Sequence, residues 1–156
     1  MIMAVTIIPV TSENRAEAEQ LQVHDSQIHF IESVKECMEE ADELDLWHPV
    51  AICDGNKMVG FSMYGYYVEE DGSGRLWFDR LLIDKRFQGH GYGRQAISVC
   101  LYRMRREYPP QDIYLSVYDP NKNAIALYES CGFRFTGELD TSGERIMVLS
   151  KESPLP

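Results

Sequence analysis

The run Leu81-Leu82-Ile83-Asp84-Lys85-Arg86-Phe87-Gln88-Gly89-His90-Gly91-Tyr92-Gly93-Arg94 joins an apolar strand end, a glycine-rich turn and a helix start. Such a turn aims several backbone N–H groups in one direction beside the positive end of a helix. That is the make-up of an anion site, most often for phosphate. Glycine permits positive φ there and puts no side chain between backbone and phosphate. Arg94 and Lys122 carry charges that suit phosphate and plain solvent equally. A dinucleotide-binding reading of the same glycines does not fit. No strand-turn-helix repeat surrounds them, and no matching acid lies ~20 residues on.

The charge is as informative as the glycines. The chain of 156 residues has a net charge of −10, unevenly spread. Between Asp25 and Asp54 stand nine acids, Glu32 and Glu36 among them, against one base, Lys35. Between Lys85 and Arg106 stand six bases and no acid. An acidic chain lacks the basic footprint that nucleic acid requires. Acidic and basic regions in one protein suit a cationic substrate meeting an anionic cosubstrate. A solvated acidic helix face accounts for the pattern equally well.

Other chemistries find little support. Cys37, Cys53, Cys100 and Cys131 are scattered singly, with no C-x-x-C pair, and read as buried thiols. His24, His29, His48 and His90 show no metal-ligand spacing, so no metal is expected. No apolar run approaches the ~20 residues of a membrane span. Val5 to Ile8 has no basic region before it and ends at Pro9, so it reads as a first strand and not a signal peptide. This places the protein in the cytoplasm, with neither membrane nor nucleic acid as partner.

The positioning elements follow from periodicity and breakers. Residues 2–9 read as a strand, and a helix follows from a Thr11 or Ser12 cap to about Val23. Ile31, Val34, Met38 and Ala41 share one face of a second helix, with Ser26 as its cap and Glu32, Glu36, Glu39 and Glu43 as a neighbouring acidic stripe. Strands at Val50–Cys53 and Met58–Val68 form a hairpin about Asp54-Gly55-Asn56. In a fourth strand from Arg75 to Ile83, strict alternation puts Trp77, Asp79, Leu81 and Ile83 on one face. A helix after the glycine turn ends at Pro109-Pro110, and a strand runs from Asp112 to Val117. A helix from Ala124 to Cys131 follows, with Asn121 as N-cap, and then strands at Phe133–Phe135 and Arg145–Leu149. This predicts one mixed α/β domain over residues 1–150, helices on both faces of the sheet, and a frayed tail at 151–156.

With those elements in place, the chain resembles the GNAT family of acyl-CoA N-acyltransferases. The family's signature, Gln/Arg-x-x-Gly-x-Gly/Ala, is matched by Gln88-Gly89-His90-Gly91-Tyr92-Gly93 between the fourth strand and third helix. A second signature, Asn-x-x-Ala-x-x-x-Tyr before Gly-Phe, is matched by Asn121, Ala124, Tyr128 and Gly132-Phe133. Within the family the chain is similar to bacterial spermine/spermidine acetyltransferases, through Phe30-Ile31-Glu32-Ser33, Gly60 to Gly65, Asp79-Arg80, Gly137 to Asp140 and Gly143-Glu144.

The resemblance implies a mostly antiparallel sheet of about seven strands, splayed between strands four and five. It implies acetyl-CoA as cosubstrate. The pantetheine arm would pair with Leu81, Leu82 and Ile83 like an added strand. The pyrophosphate would sit on Gln88, Gly89, His90, Gly91, Tyr92, Gly93 and Arg94, with Asn121 also at the cofactor. Tyr128 would protonate the leaving thiolate, although helical spacing alone reads it as a core aromatic. Asp79 stands where mammalian-type polyamine acetyltransferases carry glutamate. One methylene shorter, it favours taking the amine's proton through a water, and an ion pair with a neighbouring base is the plain alternative. Glu32 and Glu36 would meet ammonium groups, with Glu138 behind them, and Phe30, Trp77 and Tyr64 would line the aliphatic segments. The acceptor is then a polyamine. Another amine (amino acid, peptide N-terminus or aminoglycoside) and a non-catalytic CoA sensor are the competing readings. A homodimer fits the resemblance, with no interface readable in the chain.

Overall fold

The computed structural model describes residues 5–156, so residues 2–4 of the expected first strand lie outside it. Seven strands form one sheet in the order β1-β2-β3-β4-β5-β7-β6. In chain order they are β1 (Thr6–Pro9), β2 (His48–Asp54), β3 (Lys57–Val68), β4 (Gly74–Ile83), β5 (Ile113–Val117), β6 (Arg134–Leu139) and β7 (Arg145–Leu149). The helices are α1 (Arg15–Ala18), α2 (Val34–Glu43), α3 (Tyr92–Glu107) and α4 (Lys122–Ser130). Every strand pairing is antiparallel except that of β4 with β5. The sheet carries two cores. One face packs α3 and α4 around Ile97, Leu101, Leu115 and Phe133, and the other packs α1 and α2 around Ala18, Val34, Phe61 and Leu82. Among the described residues no helix is long and apolar enough to cross a membrane.

The parallel pair is short. Leu76 faces Ile113 and Trp77 faces Tyr114, and there the pairing stops. β4 runs on to Ile83 and β5 to Val117, so the two strands splay as expected. Beside this point β4 carries one residue too many. Phe78 opposes Tyr64 and Arg80 opposes Met63, which leaves Asp79 as a bulge. The bulge shifts the phase of the strand. Leu76 and Phe78 lie on the same core as Leu81 and Ile83, whereas Trp77 shares the other core with Leu82. The alternation expected over the whole strand therefore holds only on either side of Asp79.

The first two helices are shorter than periodicity suggests. α1 ends at Ala18 because tertiary bonds claim the chain beyond it. The Gln22 N–H donates to the Asp84 carboxylate at 2.9 Å, and the Lys85 N–H donates to the Gln22 carbonyl at 2.7 Å. Asp84 is buried just past β4 and also accepts from the Arg86 N–H and Nε. α2 starts at a Ser33 cap, not at Ser26. The Glu36 N–H donates to Ser33 Oγ at 3.2 Å, and Glu36 Oε1 accepts from the Ser33 N–H at 3.1 Å. This Ser-x-x-Glu box places Ile31 and Glu32 in a loop before the helix. The connection 19–33, with a short 3-10 turn at Asp25–Gln27, is thus tied at both ends and lies along β4.

The last residues also differ from expectation. Arg105 donates to the Ser153 and Ser150 carbonyls at 2.8 and 2.9 Å, and Leu155 packs on the core, so the tail is tied along α3.

Ser33→Ala removes one half of the box that holds the 19–33 connection. It should lower unfolding free energy by about 1 kcal/mol in urea titration with an unchanged m-value. Unchanged stability would remove the cap from the account.

Candidate active site

The splay opens a cleft of about 420 Å³ between β4 and β5. Its β4 wall is residues 79–83, and its floor at one end is the glycine turn leading into α3. The opposite wall is Ser116 to Tyr118 with Asn121, Leu127 and Tyr128. The 19–33 connection closes one side with Val23, Gln27, Phe30, Ile31 and Glu32.

At the turn, Gly89 and Gly91 take φ of 81° and 82°, in the left-handed region that favours glycine. Gly91 is the N-cap of α3. Among the described residues, none of the backbone N–H groups of residues 88–94 donates to a protein acceptor. Seven consecutive donors at the start of a 16-residue helix make a strong anion cradle. Gln88, Gly89, Gly91, Tyr92, Gly93 and Arg94 border the cleft, and His90 does not. The side chains brace the turn. Gln88 donates to the Ile83 carbonyl at 2.9 Å and exchanges amide hydrogen bonds with Gln27. The Tyr92 hydroxyl donates to Asp54 on the β2–β3 hairpin, and Arg94 donates to Ser130 Oγ on α4 at 2.6 Å.

Leu81, Leu82 and Ile83 border the cleft along the β4 edge that β5 has left. Leu82 buries its side chain in the α1–α2 core, so it meets the cleft through its backbone. Such an edge offers unpaired peptide groups to an extended amide-bearing ligand. Asn121 is the N-cap of α4 in position only. Its side chain makes no cap hydrogen bond and borders the cleft.

Asp79 sits at the bulge with its side chain 12 % exposed, beside Arg80 at 16 %. Arg80 Nη1 donates to Asp79 Oδ2 at 2.7 Å, Nη2 to Glu40 Oε2 at 3.2 Å, and Nε lies 3.1 Å from Glu32 Oε2. Burial pushes the Asp79 carboxyl up to about 6, with Arg80 pulling it back and Glu40 and Glu32 pushing it further. Glu144, just before β7, also borders the cleft, and burial and then Asp140 and Glu32 raise its carboxyl.

Tyr128 lies half-buried on α4, edge-on to Phe78 and Phe133 at 6.4 and 5.9 Å between ring centroids. Among the described residues no side chain or backbone group hydrogen-bonds its hydroxyl. Burial raises that hydroxyl above the usual phenol range, so it stays protonated.

A second cavity of about 310 Å³ adjoins the first and shares Phe30, Ile31, Glu32, Tyr118 and Glu144 with it. Glu36 borders this outer chamber, with one oxygen held by Ser33. Three expected residues lie apart, and one of them, Tyr64, is buried with its hydroxyl donating to Glu107 at 2.8 Å. Trp77 packs on Tyr114 at 5.7 Å below the splay, and Glu138 pairs with Arg75 at 2.8 Å on the edge strand. Sequence reasoning did not assign site positions to Arg80, Tyr118 and Glu144. Arg80 adjoins Asp79, and Tyr118 and Glu144 each adjoin a turn at a strand end, which is the one local signal they carry.

Residues 13–133 match the model of the acetyltransferase (GNAT) family. A curated relative, spermine/spermidine N(1)-acetyltransferase of Bacillus subtilis, is 41% identical over 149 residues, covering 94% of this chain and 98% of its own. Among solved structures, spermidine N-acetyltransferase of Vibrio cholerae in complex with CoA and spermine superposes with a TM-score of 0.68 at 20% identity, over 94% of this chain and 95% of its own. An aminoglycoside N(6')acetyltransferase of Legionella pneumophila superposes with a TM-score of 0.76 at 14% identity, over 97% and 95%. At such identities the two structures share the fold.

The buried Asp79 charge works against folding. Its carboxyl lies near 6 in the native state against 3.8 as a free side chain. Because the native value is raised, its proton-linked contribution to stability is fully present below about 3.8 and is lost as pH rises through about 6. Asp79→Asn should therefore stabilise the fold by roughly 1–3 kcal/mol at pH 8 and by much less at pH 4. Thermal unfolding at the two pH values checks this, and an equal effect at both would contradict it.

Proposed function

The chain belongs to the GNAT acetyltransferase family, and on that premise we propose that it moves the acetyl group of acetyl-CoA to a primary amine of spermine or spermidine. One observation carries the reading: a single cleft has the unpaired N–H run at one end and the carboxylates of Asp79, Glu32 and Glu144 at the other. The donors suit the pyrophosphate of acetyl-CoA, and the carboxylates suit a polycation. The 41% identity to a spermine/spermidine acetyltransferase over 94% of the chain supports that acceptor over other amines.

In this reading the pantetheine arm lies along Leu81, Leu82 and Ile83, and Asn121 meets it from the facing wall. The thioester then stands between Asp79 and Tyr128. An aliphatic amine arrives protonated, since its pKa is near ~10.4. Asp79, ionised at neutral pH with a carboxyl near 6, takes the proton through a water. The nitrogen attacks the thioester carbonyl carbon, and the C–S bond breaks. Tyr128 gives its proton to the departing thiolate, a role that suits a hydroxyl kept protonated by burial. Glu32 and Glu36 hold further ammonium groups, and Phe30 lies along the methylene segments. The four buried, unpaired thiols suit a reducing compartment, so the enzyme is assigned to the cytoplasm.

A thiol-release assay with acetyl-CoA and an amine panel tests the reading. Turnover with spermine and spermidine, and little with free amino acids, is expected. Absence of release with any polyamine at millimolar concentration would overturn it. Tyr128→Phe should lower kcat by about 10²-fold or more while the KM for acetyl-CoA stays near wild type. Wild-type turnover in that variant would remove Tyr128 from the mechanism.

A further inference from the structure

The inner cleft and the outer chamber meet at one place. Phe30, from the 19–33 connection, and Tyr118, just past the end of β5, bring their ring centroids to 5.9 Å at an interplanar angle of 43°. Rings at that separation are in contact, so they bridge the two walls without a gap between them. Both residues border both cavities, and the other shared residues are Ile31, Glu32 and Glu144. A ligand reaching from the outer chamber toward Asp79 would therefore pass beside the ring pair, along an isoleucine and two carboxylates.

The bridge is anchored on both sides. Phe30 is three residues before the Ser33 cap, and its neighbour Glu32 is held to Arg80 at 3.1 Å. Tyr118 is fixed through its carbonyl, which accepts from the Asn121 N–H at 2.8 Å. The two anchors stand on opposite sides of the splay, so the distance that opens the cleft also sets the width of the passage.

We propose that the Phe30–Tyr118 pair is the acceptor filter of this enzyme. It admits an unbranched aliphatic amine, whose methylenes lie against the rings while its ammonium groups meet Glu32 and Glu144, and it turns away ring-bearing polycations. Charge alone does not make this distinction, because polyamines and aminoglycosides are both polycationic. The width of the bridged passage does. This inference rests on the polyamine reading above and adds to it what excludes the other amines.

The test compares kcat/KM for spermidine with that for kanamycin, two polycations of different width, in wild type, Phe30→Ala/Tyr118→Ala, Tyr118→Ala alone and Tyr118→Phe. The double variant should raise the kanamycin-to-spermidine ratio about tenfold or more, and Tyr118→Phe, which keeps the ring, should leave the ratio at its wild-type value. Tyr118 is 43% exposed, so its single alanine variant keeps the test open if the double variant fails to fold. An unchanged KM for acetyl-CoA certifies the remaining site in each variant. Spermidine turnover by wild type with the same ratio in the alanine variants would overturn the filter and leave the polyamine reading standing. A wild type that acetylates no polyamine would overturn that reading, and the filter with it.

Discussion

The structure depends on a pairing that stops. β4 and β5 share two residue pairs, Leu76 with Ile113 and Trp77 with Tyr114, and then part. An abandoned strand edge inside a sheet is costly unless something fills it, because peptide groups left without partners lose the hydrogen bonds they had in water. Here the gap becomes the cleft, and the edge at Leu81 to Ile83 stays open along it. The Asp79 bulge sits at the same point. It turns the carboxylate to the mouth of the gap and reverses the phase of the strand, so that Leu82 can anchor the second core while Leu81 and Ile83 face the first.

Around that opening the protein has gathered charges that do not help it fold. Arg80 sits among Asp79, Glu32 and Glu40, and the guanidinium keeps three carboxylates tolerable at a partly buried site. Two consequences follow from one group. The guanidinium restrains the rise of the Asp79 carboxyl, and through Glu32 it pins the connection that carries Phe30. Sites that combine buried charge with an unfilled edge are where proteins trade stability for activity.

Local features were legible in the chain and convergent ones were not. The glycine turn, the α3 start and the Asn121–Tyr128 helix could be read because their determinants are neighbours in sequence. The Ser33–Glu36 box was equally local, but the apolar period that reaches back to Ile31 masked it. The Asp79 bulge was invisible, since it exists only in the register with β3. The early end of α1 was invisible for the same kind of reason: Asp84, sixty-two residues beyond Gln22, takes the N–H that would otherwise have continued a helix. Unbroken alternation put Trp77 on the face of Asp79, and the phase shift sends it to the other core. Tyr118 and Glu144 become neighbours of Glu32 only once β5 and β7 are in place.

The proposed reaction turns on Asp79 as the group that takes the amine's proton. The pH dependence of kcat/KM for spermidine, in wild type and Asp79→Asn, tests it most directly. The amine's own ionisation gives both enzymes a rising slope with pH. Wild type should show in addition a loss of activity as pH falls through about 6, where the Asp79 carboxyl gains its proton, and the variant should lack it. The same limb near pH 6 in both enzymes would contradict the assignment.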